Sequence, residues 1–499
     1  MQLPIKKLDR WITFPVVLFI YVFVGYLSFS YPGKILSIQL PFSLVSIFSI
    51  IFILMLSFRK KISFASNLSI FSGFRWLFFL YLGLSGFLIA NLLIQGVLTN
   101  FNPYVAKLYI SNDAYWEAVR PIMQPTNWVY WGYFSALVIL GGGLSYVHYY
   151  KQSVPCLHRI AGALFDRVLT HRKPSIWAKS FGEGHVYLVN LTWFGLVLIS
   201  AVVLLASGLL SLINLPSYFT LPIISMSFFS LIFLLFASTF LVKKLKKLNK
   251  KHIDLAIITL LFCVLLIGIL LLAGKAIQLV LMHQPDILKA VECDCTINKL
   301  KLFIQDRMQV LGWSIWILNL PLIATFVSRI SANRTLLQLI AAIIGYAILL
   351  QLGVYFYSAV NHFDLYLYDY LHRPVVELLF GAGLLIFLFF IFFRKRTTWI
   401  MSNGFMKELP RKDEEGADIY KVSEISFFDG TKIKGLGMLT RKWMLMCMGL
   451  LLVHTLGGWQ VIQVELGVFA FILCAIYFFA LVGLLIEFLD RPSGDNSKP

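Results

Sequence analysis

Tryptophans and an amide interrupt an apolar stretch of the sequence. Residues 312–321 read Gly-Trp-Ser-Ile-Trp-Ile-Leu-Asn-Leu-Pro, and the apolar run that follows ends at Arg329 and Arg334. Indole faces attract cations, and an amide both donates and accepts hydrogen bonds. A bilayer tolerates Asn319, and the helix breaker Pro321 beside it, only where neighbouring protein or a cavity satisfies them. The stretch therefore predicts a membrane helix whose aromatic and polar groups point into a bundle.

The composition is that of a polytopic membrane protein. The 499 residues are 59% hydrophobic and only 13% charged, with a mean hydropathy of +0.80. A soluble protein carries about 25% charged residues, so we exclude that class. The net charge of +19 does not indicate nucleic acid, because the basic residues fall in short runs between apolar spans. We expect a bilayer environment, no cofactor and no metal.

Twelve apolar stretches are candidate spans, and the sequence predicts an all-α protein that crosses the membrane about twelve times. Basic residues follow every even-numbered span, which predicts that both termini are cytoplasmic. A multi-pass protein of the cell inner membrane is expected. The spans are 11–31, 38–58, 74–98, 127–150, 184–207, 216–242, 253–282, 309–328, 336–358, 376–400, 441–457 and 465–488.

Several of these stretches, in this order, resemble the betaine/carnitine/choline transporter family. The order Trp313, Trp316, Pro321, Ser-Arg-Ile-Ser and Arg334-Thr335 is similar to the eighth helix of that family, and this is the most specific match. Weaker matches cover much of the remaining chain. They are the fourth-span runs 128–138 and 144–151, Thr192-Trp-Phe-Gly195, and 457–463.

The resemblance implies a fold of two inverted five-helix repeats preceded by two extra helices. It also implies a homotrimer and a secondary transporter that binds solute near the bilayer midplane. The corresponding divisions are an N-terminal cytoplasmic segment with peripheral helices 1 and 2 (1–72), a first repeat (73–282), an outer loop (283–308), a second repeat (309–488) that contains a cytoplasmic loop (402–440), and a disordered tail (489–499).

The resemblance further implies an aromatic box that holds a quaternary ammonium by cation–π attraction. The fourth helix supplies Trp131, with Trp128 and either Tyr130 or Phe134 beside it. From the eighth helix only Trp316 is retained, and Asn319 stands where the family has a third tryptophan. An amide there could suit a zwitterion or a hydroxylated solute. The alternative is that these tryptophans are packing residues or interfacial anchors.

The third span and the coupling site depart from the family pattern. The third span lacks the family's glycine-rich unwound segment, so its helix could be continuous. Asn91 is a candidate substrate contact there, or else a helix–helix hydrogen bond. The tenth span ends with Arg394, Lys395 and Arg396, where the family supplies sodium-binding hydroxyls. Lys395 and Arg396 would repel sodium, which predicts transport without sodium coupling; alternatively they mark the cytoplasmic end of the span.

Three functions follow from these residues. The first is a permease for a small zwitterionic or quaternary ammonium solute such as betaine, carnitine or choline. The second is a diverged relative that no longer transports and acts as a membrane sensor or scaffold, with 402–440 as its output surface. The third is a membrane-embedded enzyme, which would need an acidic pair, a Cys/His pair or a metal triad at the membrane face. It is disfavoured, because the nearest candidates, Cys293 and Cys295 with His283, do not form a convincing set. We therefore expect that the chain is not an enzyme.

Overall fold

The computed structural model describes residues 18–59, 73–100, 128–147, 176–212, 294–361 except 332–333, 374–393 and 459–490, and these are almost entirely helical. Spans 216–242, 253–282 and 441–457, the loop 402–440, Lys395, Arg396, Cys293 and the tail beyond Asp490 lie outside the described residues. The helices are α1 (Leu18–Ser30), α2 (Pro32–Leu36), α3 (Gln39–Arg59), α4 (Gly73–Asn100), α5 (Trp128–Ser145), α6 (Ile176–Leu212), α7 (Asp294–Ile330), α8 (Leu336–Asn361), α9 (Pro374–Phe393) and α10 (Trp459–Asp490).

Six segments within these helices are long and apolar enough to cross a bilayer, and α1 and α9 are shorter apolar helices. The all-α membrane class predicted from composition agrees with this, whereas the count of twelve and the repeat remain predictions. The six segments are Pro32–Met55, Gly73–Leu98, Leu188–Leu209, Met308–Ile330, Leu336–Gly353 and Val464–Ile486.

Helix α7 begins earlier than the sequence analysis predicted. It starts at Asp294, inside the range 283–308 that was predicted to be an outer loop. This polar beginning contains Lys299, Leu300, Lys301 and Leu302 in succession, and lysine and leucine favour helix even outside lipid. Near its apolar part, Asp306 lies against Gly33 of the short helix α2. The connection between α1 and α3 therefore packs on α7.

Helices α5 and α7 form the centre of the bundle. Nearly every side chain of Met308–Ile330 is buried, and so are those of α5 except Trp128 and Trp131. Glycines allow this close packing: a Cβ at Gly132 would lie 2.4 Å from the Cα of Ser43 in α3. Helix α5 thus lies between α3 and α7 with almost no surface facing lipid.

Contacts near both ends show that α4 and α7 are antiparallel. The Trp76 indole N–H donates to the Ser331 hydroxyl at 3.4 Å, so the beginning of α4 meets the end of α7. At the other end, the Gln95 amide donates to the Gly312 carbonyl at 3.0 Å. Both helices are continuous, and α7 remains helical across Pro321. The sequence analysis had already raised the possibility of a continuous third span.

The directions of α5 and α8 follow from contacts of the same kind. Helix α5 runs parallel to α7 and antiparallel to α8, as the predicted alternation of spans requires. The contacts that give these directions are Tyr133–Asn319 and Gly141–Val327 between α5 and α7, and Tyr130–Ala347 and Gly142–Leu336 between α5 and α8.

Helices α6 and α9 form a close antiparallel pair. A Cβ at Gly208 would lie 2.8 Å from the Pro374 carbonyl oxygen, and one at Gly381 would lie 2.9 Å from that of Ala201. Side chains larger than hydrogen would separate these backbones, because both glycines face main-chain atoms of the partner helix. Small residues at helix contacts are what membrane packing requires, since lipid supplies no hydrophobic drive between helices.

The N-terminal part of α6 contacts α1 and α10 through His185. The imidazole Nε2 lies 3.1 Å from the Phe469 carbonyl oxygen, which can only accept, so Nε2 carries the proton. Nδ1 then accepts from the Tyr21 hydroxyl at 2.6 Å. Phe469 lies in the N-terminal third of α10, near where Gly467 meets Val310 of α7. These contacts place the start of α6 on the side where α7 and α10 begin, which departs from the predicted alternation.

Candidate functional site

A tyrosine of α5 connects the two residues that the sequence analysis selected on α7. The Tyr133 hydroxyl donates to the Asn319 side-chain oxygen at 2.9 Å. The Tyr133 ring meets the Trp316 indole edge to face, with centroids 5.1 Å apart. Asn319 is fully buried, and Trp316 and Tyr133 are 2% and 4% exposed. Two central helices therefore share a buried cluster that contains an indole, a phenol and an amide.

Helical geometry brings these groups together. Trp316 and Asn319 are three residues apart, so they lie on neighbouring positions of one face of α7. Tyr133 of α5 faces this pair, so its hydroxyl contacts Asn319 while its ring contacts Trp316. The next residue, Phe134, packs 5.3 Å from the Tyr133 ring and 4.9 Å from Tyr130. Aromatic rings thus surround the beginning of α5 where it faces α7 and α8.

A second hydrogen bond of the same kind joins α8 to α4. The Tyr346 and Ser85 hydroxyls lie 2.9 Å apart, and the Tyr346 ring lies 5.2 Å from that of Tyr81. Phe134 contacts Tyr346 as well, at 6.1 Å, and so links the two tyrosine sites. The sequence analysis did not select either tyrosine. The sequence did contain a signal for them: each is a tyrosine inside an apolar span, and a buried hydroxyl needs a hydrogen-bond partner.

Three buried N–H groups on one side of α7 have no hydrogen-bond acceptor among the residues that the structure describes. They are the indole Nε1 atoms of Trp313 and Trp316 and the amide Nδ2 of Asn319. An unsatisfied buried donor costs about 1–3 kcal/mol. The unpartnered polar atoms of these three residues are therefore all donors, while the Tyr133 phenol oxygen remains able to accept. Such a set would bind a group rich in acceptor oxygens.

The other predicted site residues lie elsewhere or have other partners. Trp128 is 55% exposed at the outer surface of the bundle, away from the Tyr133 cluster. Trp131 is partly buried and meets Tyr130 edge to face at 5.3 Å. The Asn91 side-chain oxygen accepts from the Trp193 indole of α6 at 2.9 Å, the helix–helix bond that was the alternative for this residue. Lys395 and Arg396 lie outside the described residues.

Comparison with known proteins does not identify a family for this chain. No protein-family model matches the chain, and no curated protein matches it. Within the described residues, no group of three or more histidine, cysteine, aspartate or glutamate side chains could hold a metal ion. The buried cluster of Tyr133, Trp316 and Asn319 is therefore the candidate site on its geometry alone.

Proposed function

We propose that this protein is a secondary transporter for a small zwitterionic or quaternary ammonium solute, such as betaine or carnitine, in the inner membrane. The observation that carries the proposal is the buried cluster of Tyr133, Trp316 and Asn319, with its aromatic rings and unpartnered donors. Rings can hold a quaternary ammonium group, which makes no strong hydrogen bonds, and the donors can hold its polar end. Sodium-independent transport is part of the proposal, from the basic residues 394–396.

The arrangement of helix pairs supports two inverted five-helix repeats. In such a fold each helix of the first repeat is antiparallel to its counterpart in the second. The predicted counterparts are α4 with α7, α5 with α8, and α6 with α9. The first two pairs are antiparallel and in direct contact. The third pair does not support the repeat: α6 and α9 are antiparallel to each other, but α6 runs opposite to α4, whereas a five-helix repeat makes its first and third helices parallel.

The two tyrosine hydrogen bonds are also related as an inverted repeat would relate them. Tyr133, on the second helix of one half, bonds Asn319 on the first helix of the other. Tyr346, on the second helix of the other half, bonds Ser85 on the first helix of the opposite one. The second helix of each half thus places a tyrosine hydroxyl on the first helix of the other half. These reciprocal contacts support a solute site between the halves.

A sensor or scaffold that binds such a solute without moving it is the second candidate. The observation in its favour is that α4 and α7 are both continuous helices. In the transporters that the sequence resembles, the corresponding first helix is unwound, so that backbone groups reach the solute. Here the backbone groups of Gly73–Asn100 are used within the helix.

Uptake into proteoliposomes tests the proposal. Purified protein is reconstituted, and saturable uptake of labelled betaine, carnitine, choline, ectoine and proline is measured with and without sodium. We expect uptake of at least one solute without sodium. Trp316→Phe should reduce uptake, whereas Trp128→Phe should leave it unchanged, because one ring lies in the cluster and the other at the outer surface.

The results separate the candidates. Solute binding without uptake favours the sensor or scaffold. Saturable uptake that is equally insensitive to both tryptophan substitutions means that the site lies elsewhere. If all five solutes neither bind nor enter, the proposed function is wrong.

A further inference from the structure

A single acidic side chain is buried in the apolar helix α9. Glu377 is 3% exposed, and no other residue of Pro374–Phe393 is polar or charged. An ionised carboxylate that leaves water is costly unless it is paired, and acidic residues inside membrane helices mark sites of function. Glu377 therefore needs a partner, a proton, or both at different times.

The hydrogen-bond partner of Glu377 is Ser207 on α6. The serine is buried as well, and it lies beside Gly208, where the backbones of α6 and α9 approach closely. A serine hydroxyl can donate to a carboxylate, and it can accept from a protonated carboxyl. The bond is therefore compatible with both protonation states of Glu377.

The second carboxyl oxygen of Glu377 is available for a proton. This atom, Oε2, is buried and has no hydrogen-bond partner among the described residues. Glu377 also lies in the first turn of α9, where the helix dipole stabilises negative charge. The carboxyl thus has one atom that can take up a proton, and it has neighbours that stabilise the charge when the proton leaves.

The helices that pack against α9 bring no charge to this carboxyl within the described part of the chain. Helix α6 has no titratable side chain in the segment Leu188–Leu212, which meets α9. Helix α4 meets α9 through Phe387, and its titratable groups are Arg75 and Tyr81. Arg75 is exposed at the beginning of α4, and Tyr81 packs on α8. A proton is accordingly the cation that can neutralise Glu377 here.

We infer that Glu377 binds and releases the proton that drives solute transport, and that Ser207 holds its carboxyl in both states. This inference rests on the proposed function and names its driving ion. The carboxylate takes a proton from water on one side of the membrane and returns it to water on the other side. Gly208 and Gly381 pack on either side of Glu377 along the α6–α9 pair, so the helices must slide or separate before water reaches the carboxyl. Proton exchange is thereby tied to a movement of α6 against α9.

Accumulation of solute in proteoliposomes tests the inference. Purified full-length protein is reconstituted, a pH gradient is imposed in either direction, and the membrane potential is held at zero with potassium and valinomycin. Labelled betaine, carnitine, choline, ectoine and proline are the probes. A pH difference of about one unit should support about tenfold accumulation of a transported solute if a single proton is coupled to each molecule.

Substitutions separate proton coupling from solute movement. Glu377→Gln should lose the accumulation but keep the exchange of labelled for unlabelled solute, because exchange needs no net movement of protons. Glu377→Asp keeps a carboxyl and should retain part of the accumulation. Glu465→Gln is the matched control, since it removes a partly buried carboxyl from another apolar helix, α10, and it should accumulate solute like wild type. His372→Gln and Arg373→Gln, just before α9 and outside the described residues, should do the same.

Infrared difference spectroscopy provides a measurement that needs no solute. Between acidic and alkaline buffer, wild type should lose the carbonyl absorption of a protonated carboxyl. Glu377→Gln should lack this change, whereas Glu465→Gln should keep a change of wild-type size at the Glu377 band. A purely structural Glu377 would keep the same absorption at every pH.

The remaining outcomes overturn the inference or decide it. Saturable uptake that no pH gradient alters refutes the inference and leaves the proposed function standing. The same conclusion follows if Glu377→Gln accumulates solute like wild type, or if Glu465→Gln loses the accumulation in its place. If Glu377→Gln loses exchange as well, the infrared titration decides, since a band that is insensitive to pH refutes proton binding and a band that responds supports it. If none of the probes enters the vesicles, the proposed function fails and the inference fails with it.

Discussion

Replacing Gly132 by alanine tests the packing of the central helix α5 most directly. The added Cβ would lie 2.4 Å from both the Cα and the Cβ of Ser43 and 2.5 Å from its Oγ. Carbon atoms in contact are best placed about 3.5–4.0 Å apart, so α3 and α5 must separate by about 1 Å. Because the Ser43 Cα belongs to the main chain, no side-chain rotation relieves the overlap.

The magnitude follows from two opposing contributions. Overpacking of a close contact costs about 1–3 kcal/mol, and a backbone contact lies towards the upper end of that range. Alanine regains up to about 1 kcal/mol through its greater helix preference. Gly132→Ala should therefore destabilise the folded protein by roughly 2 kcal/mol. Gly383→Ala in α9 is the matched control, since no atom lies within 4 Å of its added Cβ. It should be neutral or stabilising by up to about 1 kcal/mol.

Thermal stability of the purified variants in detergent measures this difference, and solute binding measures its effect on the site. Tyr133 follows Gly132, and its bond to Asn319 is already 2.9 Å long. A displacement of about 1 Å is enough to break it. We expect Gly132→Ala to unfold at a lower temperature than wild type and to bind solute more weakly, while Gly383→Ala does neither. Equal stability of the two glycine variants would refute the close approach of α3 and α5.

Two further predictions concern contacts between other helices. The coupling energy between Asn91 and Trp193, measured by a double-mutant cycle of Asn91→Leu and Trp193→Phe on thermal unfolding, should be favourable by about 0.6–2 kcal/mol. A value near zero would show that their 2.9 Å bond contributes nothing. Trp76→Leu removes both the indole bond to Ser331 and the stacking of the Arg334 guanidinium, which lies 5.0 Å from the Trp76 ring. Trp76→Leu should therefore lower the thermal unfolding temperature, and an unchanged unfolding temperature would show that these two contacts contribute nothing to stability.

The helices were the most predictable part of the structure, because their signal is local. The third span was predicted at 74–98 and the helix is Gly73–Asn100, and the ninth was predicted at 336–358 and the helix is Leu336–Asn361. The start of α7 was not predictable from hydropathy, since polar residues that favour helix extend it beyond its apolar part. The direction of α6 was also missed, because the contacts of His185 with α1 and α10 are tertiary.

The site was partly predictable. The sequence indicated which residues of α7 need a contact inside the bundle, but not which residues of other helices supply it. Asn319 could be selected because a bilayer makes its amide costly without a partner, and Trp316 because its position matches an aromatic position of the family that the sequence resembles. The identity of that partner, Tyr133, depends on how α5 rotates against α7, which a sequence pattern does not encode. Trp128 was selected for its residue type, but its position on α5 faces outward. Asn91 was selected as a candidate substrate contact, and its side-chain oxygen forms the helix–helix bond that was given as the alternative.

The continuity of α4 and α7 restricts how a transport cycle could proceed. If neither leading helix unwinds, access to the Tyr133 cluster must alternate through movement of whole helices. The contacts that such movement would break lie at opposite ends of the α4–α7 pair, the Trp76 indole on Ser331 at one end and the Gln95 amide on Gly312 at the other. Both contacts are present together here, so the structure is closed at both ends of this pair. A transporter must release one while it keeps the other, whereas a scaffold can keep both.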